Sequence, residues 1–202
     1  MNPHIEAFIS YSNQMGDRMV VYRNVIEHFK VESILYPGSH IDINPSFLAP
    51  KVTYIDNFKA TAKFFKRMDI IIDYINQHKE YEAETKVAFL NKDYEEAMDI
   101  DKVDMIISQY AGFVGQATKQ YLKKDGVLLC NDSHGDATLA YLDNDYEFIA
   151  IINNKKQISA KDLSKFFKFA RPRKIDLEKV KKTMKGPKYK FQAISYIFKK
   201  VV

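Results

Sequence analysis

The sequence lacks cysteine pairs, long apolar runs and a signal-like N-terminus. Its single cysteine, Cys130, excludes a disulfide framework and a cysteine-based zinc site, and it is compatible with a reducing compartment. No stretch approaches the roughly 18 consecutive apolar residues that a membrane-spanning helix needs. The first residues also lack the basic start and apolar core of a secretory signal. These absences predict a soluble cytoplasmic protein with no membrane partner.

Acidic residues are scarce in the C-terminal quarter. Residues 155–202 contain 16 lysines and arginines against three acids, whereas residues 1–154 contain 15 basic and 23 acidic residues. Such a split suggests an anionic partner, and nucleic acid is one such class. The alternative is a solvated, lysine-rich surface. The chain has 202 residues, of which 46% are hydrophobic, and this is enough for one domain with a substantial core.

Hydrophobic periodicity predicts strands that alternate with helices. The predicted strands are Ile34–Tyr36, Val52–Ile55, Val87–Leu90, Val103–Ser108, Val127–Cys130, Glu147–Ile152 and Tyr189–Phe198. The predicted helices are Met15–Phe29 (within 14–30), Phe58–Met68, Asp69–Tyr81, Gln116–Leu122, Asp136–Leu142 and Ser159–Phe169. This order favours a doubly wound α/β fold with a mostly parallel sheet. We expect a single domain over residues 1–202, with a basic insertion at 155–188 before the last strand.

The most informative stretch is a strand, a proline-rich loop and a second strand, from Ser33 to Asp56. Gly38 directly after Pro37 lets the backbone turn sharply and approach a ligand. Asp56 follows the second strand, and open α/β sheets bind ligands at the carboxyl ends of their strands. A carboxylate there can accept hydrogen bonds from the two hydroxyls of a ribose. Its alternative role is to cap the helix that begins near Phe58.

The order of these parts resembles the class I S-adenosylmethionine-dependent methyltransferase family, from about Asp17 to Phe198. The matching segments are Tyr36-Pro37-Gly38-Ser39 at the glycine-rich loop, Asp56 at the ribose-binding acid, Asn91-Lys92-Asp93-Tyr94 at the adenine position, Asp104–Tyr110 at the fourth-strand motif, and Tyr121–Leu129 at the helix-turn-strand that follows. The resemblance implies a seven-stranded sheet whose antiparallel last strand lies between the fifth and the sixth.

The resemblance also implies S-adenosylmethionine as the cofactor. The implied cofactor-binding residues are Tyr36, Pro37, Gly38, Ser39, Asp56, Asn57, Asp93, Tyr94, Ser108 and Gln109. A nicotinamide dinucleotide, the cofactor of a competing oxidoreductase hypothesis, would need a G-x-G-x-x-G turn to seat its pyrophosphate, and the sequence has none. The methyl donor carries no phosphate, so the lack of these glycines harms its binding less.

The sequence departs from the family pattern at the cofactor loop and after the fourth strand, and the second departure bears on the acceptor. The family's first loop usually reads acid-x-Gly-x-Gly, whereas Tyr36 stands at the acid here and Gly38 is the loop's single glycine. After the fourth strand, amino-group methylases carry two prolines and an aromatic residue, whereas this chain has Ser108-Gln109-Tyr110-Ala111. This disfavours methylation of exocyclic base amines. The acceptor, small or macromolecular, stays open, and the alternative function is an inactive methyltransferase-like scaffold that binds nucleic acid or a protein.

His134, Asp132 and Tyr110 are the predicted catalytic residues, because the resemblance places the acceptor near the ends of the fourth and fifth strands. A histidine or carboxylate there can take the acceptor's proton. Tyr110 and Tyr36 are expected to flank the crevice, where an aromatic face attracts a sulfonium. The alternatives are helix capping by Asp132 or Asp136, loop hydrogen bonds, and packing of the tyrosines at the sheet edge.

Metal-capable side chains occur in two loops, but their spacing is common by chance, and we expect no metal site. They are His40, Asp42, Asp132, His134 and Asp136. The basic C-terminal segment interleaves aromatic and cationic residues, namely Phe166, Phe167, Phe169, Arg171, Arg173 and Lys174. Such a mixture suits single-stranded nucleic acid. The favoured alternative is that the phenylalanines form the buried face of the helix Ser159–Phe169.

Overall fold

The computed structural model describes residues 2–16 and 18–202. Met1 and Asp17, the first residue of the stretch of resemblance, lie outside the described residues. The chain divides into two compact units, one ending at Met98 and the other beginning at Asp99. None of the helices in the described ranges combines the length and the apolar character that a bilayer crossing requires.

The first unit is built on three parallel strands in the order β3, β2, β1. Its elements are α1 (Pro3–Met15), α2 (Arg18–Phe29), β1 (Ser33–Pro37), β2 (Lys51–Ile55), α3 (Lys59–Phe65), α4 (Met68–His78) and β3 (Lys86–Leu90). Leu35 of β1 lies opposite Thr53 of β2, and Thr53 lies opposite Ala88 of β3. All of β1 is buried, as expected for a parallel strand covered on both faces.

The N-terminal region contains two helices, α1 and α2, whereas the sequence predicted one helix there, within 14–30. α1 begins after Asn2, whose side chain accepts a hydrogen bond from the His4 backbone N–H, and Pro3 stands in its first turn. It ends at Met15 and is followed by Gly16, whose positive φ of 68° glycine adopts readily. Met15 therefore belongs to α1, and the single helix predicted at Met15–Phe29 is wrong at its start. The amphipathic period of the sequence does not show where one helix ends and the next begins.

The second unit contains five strands in the order β4, β5, β8, β6, β7. Its elements are β4 (Val103–Ser108), α5 (Val114–Ala117), β5 (Leu122–Cys130), α6 (Asp136–Leu142), β6 (Tyr146–Ile152), β7 (Ile158–Ser159), α7 (Leu177–Thr183) and β8 (Ser195–Lys200). β4 and β5 are parallel, and β8 runs antiparallel to both β5 and β6. The antiparallel strand between the fifth and the sixth is thus confirmed, as is the mostly parallel α/β class.

The predicted helix Ser159–Phe169 is wrong. Ser159 ends the short strand β7, which the sequence did not predict, and only a 3-10 turn at Leu163–Lys165 follows. Asp162 and Phe167 have φ values of 52° and 58°, which a continuous right-handed helix excludes. Phe166 and Phe167 are both buried in an aromatic cluster against Phe148. Phe166 and Phe167 are therefore core residues, as the favoured alternative held for them, whereas Phe169 is half-buried, and none of the three lies on a helix.

Three further boundaries differ from the sequence prediction. The predicted helix Gln116–Leu122 is the short α5 and a 3-10 turn at Lys119–Tyr121. β5 already begins at Leu122, so the basic stretch before Val127 lies within the strand, where its pairing with β4 shifts register. At the other end of the chain, the strand predicted at Tyr189–Phe198 begins only at Ser195, and the unpredicted α7 precedes it.

A buried carboxylate holds the loop that follows β1. Asp42 is fully buried, and its Oδ2 accepts hydrogen bonds from the hydroxyls of Tyr22 (2.9 Å) and Tyr36 (3.2 Å) and from Arg18 Nη1 (3.4 Å). Its Oδ1 accepts from the Asn44 side chain at 2.7 Å. Burial raises the pKa of both tyrosines, so their hydroxyls stay protonated and donate. The loop is therefore fixed to β1 and α2 through one side chain.

Replacing Asp42 with alanine should lower the free energy of unfolding by about 3–5 kcal/mol, because it removes the shared acceptor of Arg18, Tyr22 and Tyr36. The matched control is Asp73→Ala, since Asp73 is exposed on α4. That variant should change stability by less than about 0.5 kcal/mol. Urea unfolding measures both, and a loss below about 1 kcal/mol in Asp42→Ala would show that the loop is held by other contacts.

Candidate functional site

The loop after β1 and the end of β2 are joined through Asp56. The Gly38 N–H donates to the Ile55 carbonyl at 2.8 Å, and Gly38 and His40 both have positive φ, 63° and 50°. Asp56 Oδ2 accepts the His40 N–H at 2.9 Å, and its Oδ1 accepts the Phe58 N–H at 2.8 Å. The half-buried carboxylate is therefore held in one orientation by two backbone amides at the carboxyl end of β2.

Asn57 and Asp93 lie beside each other at the ends of β2 and β3. The Asn57 side-chain amide donates to Asp93 Oδ2 at 3.1 Å, and Asp93 Oδ1 accepts the Glu95 N–H at 3.0 Å. Tyr94, next in the chain, is half-buried. The structure thus brings Asp93 to the adjacent pair Asp56 and Asn57, which the sequence predicted from a separate segment.

Tyr36, Pro37 and Ser39 turn into the protein. Tyr36 is 1% exposed, and its hydroxyl bonds Asp42. Pro37 is the buried last residue of β1. Ser39 is buried too, and its Oγ donates to the His40 carbonyl at 3.2 Å. Side chains of this loop therefore shape it, and its half-buried Gly38 is the position where backbone remains accessible.

An aromatic group beside Asp56 was not predicted from the sequence. The His40 ring stacks on Tyr11 of α1, with centroids 4.9 Å apart and an interplanar angle of 8°. Phe58, which is 55% exposed, tilts against His40 at 5.9 Å. Arg18 donates to the Tyr11 hydroxyl at 3.3 Å. No local signal marks this group, because Tyr11 belongs to a helix that the sequence analysis missed.

Ser108 and Gln109, at the end of β4, are buried in polar networks. Ser108 Oγ donates to Asp136 Oδ2 at 2.5 Å, and the Gly115 N–H donates to the same carboxylate at 2.9 Å. Burial raises the pKa of Asp136 to about 7. Gln109 donates from Nε2 to Ser195 Oγ at 3.2 Å and accepts from the Asn131 amide at 2.9 Å. These side chains brace the carboxyl ends of β4, β5 and the start of β8.

A cleft of about 290 Å³ opens at the carboxyl ends of β4 and β5. It is lined by Tyr110, Asn131, Asp132, Ser133, Gly186, Pro187, Tyr189, Gln192, Ala193, Ile194 and Tyr196. Tyr110 is 60% exposed and adopts a φ of 61°, whereas Tyr196 is buried. The cleft combines aromatic walls with a few polar groups, which is the usual composition of a small-molecule site.

Asp132 is the acidic residue that lines this cleft. The Thr138 backbone N–H donates to its Oδ1 at 2.7 Å, and the Thr138 hydroxyl donates to its Oδ2 at 2.8 Å. Burial raises the pKa of Asp132 to about 6, against the effect of these two hydrogen bonds. A carboxylate with this pKa changes protonation near neutral pH and can exchange a proton with a bound molecule.

His134 is not among the residues that line the cleft. Its Nδ1 is hydrogen-bonded to Ser133 Oγ at 3.0 Å, and Ser133 Oγ donates to Asn131 Oδ1 at 2.6 Å. Of the three predicted catalytic residues, the structure brings Tyr110 and Asp132 together at the cleft and places His134 one residue outside it. Within residues 2–16 and 18–202, no three or more His, Cys, Asp or Glu side chains are grouped to hold a metal ion.

The comparisons with known proteins identify the fold. No family model and no curated protein sequence matches the chain. Among solved structures, the plantazolicin methyltransferase BpumL in complex with SAH has a TM-score of 0.54 at 10% identity, covering 100% of this chain and 91% of that one. A proposed O-methyltransferase from Klebsiella pneumoniae has a TM-score of 0.53 at 8% identity, covering 79% and 87%. The chain therefore has the Rossmann-like fold of S-adenosylmethionine-dependent methyltransferases.

The stability of the protein should depend on pH through Asp136. Because its pKa is about 7 in the folded chain and about 4 when unfolded, the folded state holds a proton that the unfolded state releases between these values. The free energy of unfolding therefore falls as pH rises through this window. Asp136→Asn does not titrate, so its stability relative to the wild type should improve by roughly 2–4 kcal/mol from about pH 4 to about pH 8.

Urea unfolding at several pH values measures this difference. The matched control is Asp125→Asn, an exposed residue with a φ of 63° that asparagine tolerates well. Its difference from the wild type should stay constant across the pH range. A constant difference for Asp136→Asn as well would mean that the buried carboxyl keeps its ordinary pKa.

Proposed function

We propose that the protein is an S-adenosylmethionine-dependent methyltransferase whose acceptor binds in the cleft at the ends of β4 and β5. The observation that supports this most directly is Asp56. It directly follows the second strand of a methyltransferase-type fold, and two backbone amides hold its carboxylate in one orientation. The fold likeness to a methyltransferase in complex with SAH supports the same cofactor class.

The carboxylate of Asp56 and its polar neighbours fit the ribose of S-adenosylmethionine. Each carboxylate oxygen accepts about two hydrogen bonds, and one backbone N–H is bound to each oxygen of Asp56. Both oxygens can therefore still accept a ribose hydroxyl. Asn57 and Asp93 stand next along the same strand ends and supply amide and carboxylate groups for the adenine. A single glycine in the loop suffices, since there is no phosphate to seat.

S-Adenosylmethionine supplies a methyl group activated by a positively charged sulfur. An oxygen or nitrogen of the acceptor would receive this methyl group and would lose one proton. Asp132 takes that proton at a carboxylate oxygen, because it lines the cleft and has a pKa near 6. The walls of the cleft, among them Tyr110, orient the acceptor.

Cofactor binding tests the role of Asp56. Calorimetry with S-adenosylmethionine should give micromolar-range binding, and Asp56→Ala should weaken it by about 1.5–3 kcal/mol, the contribution of charge-assisted hydrogen bonds. The control Asp73→Ala, on the exposed face of α4, should bind like the wild type. The absence of heat with S-adenosylmethionine and with its demethylated product, on folded protein, contradicts the proposal. A response to NADH alone would favour an oxidoreductase.

Turnover tests the role of Asp132 against that of His134. After a screen with labelled methyl donor has found an acceptor, Asp132→Asn should reduce turnover by about 100- to 10,000-fold and leave cofactor affinity unchanged. The wild-type rate should rise with pH through about 6 as Asp132 loses its proton. His134→Ala should retain most of the rate, because His134 does not line the cleft.

The opposite pattern, a large loss in His134→Ala and none in Asp132→Asn, would make His134 the base. The variant Tyr110→Phe, which removes only a hydroxyl, tests the third of the predicted catalytic residues. A screen that finds no acceptor, with cofactor binding intact, would favour the inactive scaffold.

A further inference from the structure

A second, larger cavity lies in the basic segment that precedes β8. It has a volume of about 830 Å³ and is formed by α7 and the chain on both sides of it. Its lining consists of Phe169, Arg173, Lys174, Asp176, Lys179, Val180, Thr183, Lys185, Gly186, Pro187 and Lys188. We call it the cationic cavity. Its volume lies in the range of sites that bind small molecules.

Five of the lining residues are cations and one is an acid. The acid, Asp176, is used by the protein itself, because its Oδ1 accepts the Lys179 backbone N–H at the start of α7. None of the five cations forms an ion pair with a carboxylate within residues 2–16 and 18–202. Positive charges that converge on one concave surface without internal partners favour an anionic ligand.

An aromatic side chain holds one of the five cations, Arg173, in place. The Arg173 guanidinium lies over the Phe169 ring, 4.1 Å from its centroid. Phe169 in turn packs against Tyr189, with centroids 5.0 Å apart. Stacking on a ring fixes the plane of the guanidinium, and a fixed guanidinium binds phosphate oxygens through two parallel hydrogen bonds.

The cationic cavity adjoins the cleft that contains Asp132. Gly186 and Pro187 line both. A Cβ atom on Gly186 would lie 1.9 Å from the Asp132 carbonyl oxygen, so only glycine allows the two segments to approach this closely. Tyr189, which packs on Phe169, also lines the cleft, and its hydroxyl is hydrogen-bonded to Thr138 Oγ1 at 3.0 Å.

We propose that the cationic cavity binds the phosphate group of the methyl acceptor, which is a small phosphorylated molecule whose remaining part reaches the cleft past Gly186. This rests on the proposed function. A small ligand is favoured over nucleic acid because these cations surround one cavity, whereas the neighbouring exposed Lys181 and Lys182 lie outside its lining. A nucleic-acid backbone would use a continuous track of cations that includes them.

The test uses phenyl phosphate as the probe in a protein-observed NMR titration of the whole chain. Wild-type protein should bind it saturably, and phenol, which lacks the phosphate, should not. Arg173→Gln with Lys185→Gln should raise the dissociation constant about tenfold or more, because two charge-assisted contacts are lost. Lys181→Gln with Lys182→Gln removes the same charge from the same segment and should leave the constant within about twofold.

Absence of saturable binding by phenyl phosphate, or equal weakening in both double variants, would overturn the phosphate site. A labelled single-stranded oligonucleotide that binds far more tightly than phenyl phosphate, weakens steeply with salt and responds equally to both variants would replace it with a nucleic-acid surface. S-Adenosylmethionine is titrated separately. If only S-adenosylmethionine fails to bind, methyl transfer is refuted and the phosphate site stands. If only phenyl phosphate fails to bind, the phosphate site is refuted and the proposed methyl transfer stands.

Discussion

The buried carboxylates at the strand ends are the constraint around which this protein is arranged. A carboxylate removed from water is costly unless hydrogen bonds satisfy it. Asp42 is satisfied by two tyrosines, an arginine and an asparagine, and Asp136 by a serine and a backbone amide. Each carboxylate thereby fixes a loop to the strand beside it. The hydroxyl of Tyr36, near the end of β1, donates to Asp42, six residues further along the chain.

Their environment separates the carboxylates into enclosed and accessible ones. Asp42 and Asp136 are enclosed, so their oxygens serve only the protein. Asp56 and Asp132 are each held by two hydrogen bonds but remain partly accessible, one beside the loop after β1 and the other in a cleft. Orientation by the backbone combined with access from outside is what a binding or proton-transferring group needs.

Local patterns in the sequence located every strand except β7, with the start of β8 misplaced, and they located Asp56 directly after β2. Short apolar runs bounded by turn residues predict strands, and Asp56 directly follows such a run. The same reasoning failed where packing, and not periodicity, sets the structure. Phe166 and Phe167 are both buried, but the positive φ of Phe167 excludes a helix there, and their rings are held by contacts with Phe148 of a distant strand. The partners of Asp42 come from three segments, so no local pattern could show them.

The path of the chain explains why charge gathers near the cleft. β8 lies between β5 and β6 and runs against both, so it must begin at the edge where those strands end; Tyr196 pairs with Cys130, and Ser195 with Ile152. The basic segment therefore has to return to the edge that contains Asp132. Gly186 packs so close to the Asp132 carbonyl that a Cβ atom there would lie 1.9 Å from its oxygen. The topology thus places the end of this segment, and any ligand that the residues around Gly186 bind, beside the cleft.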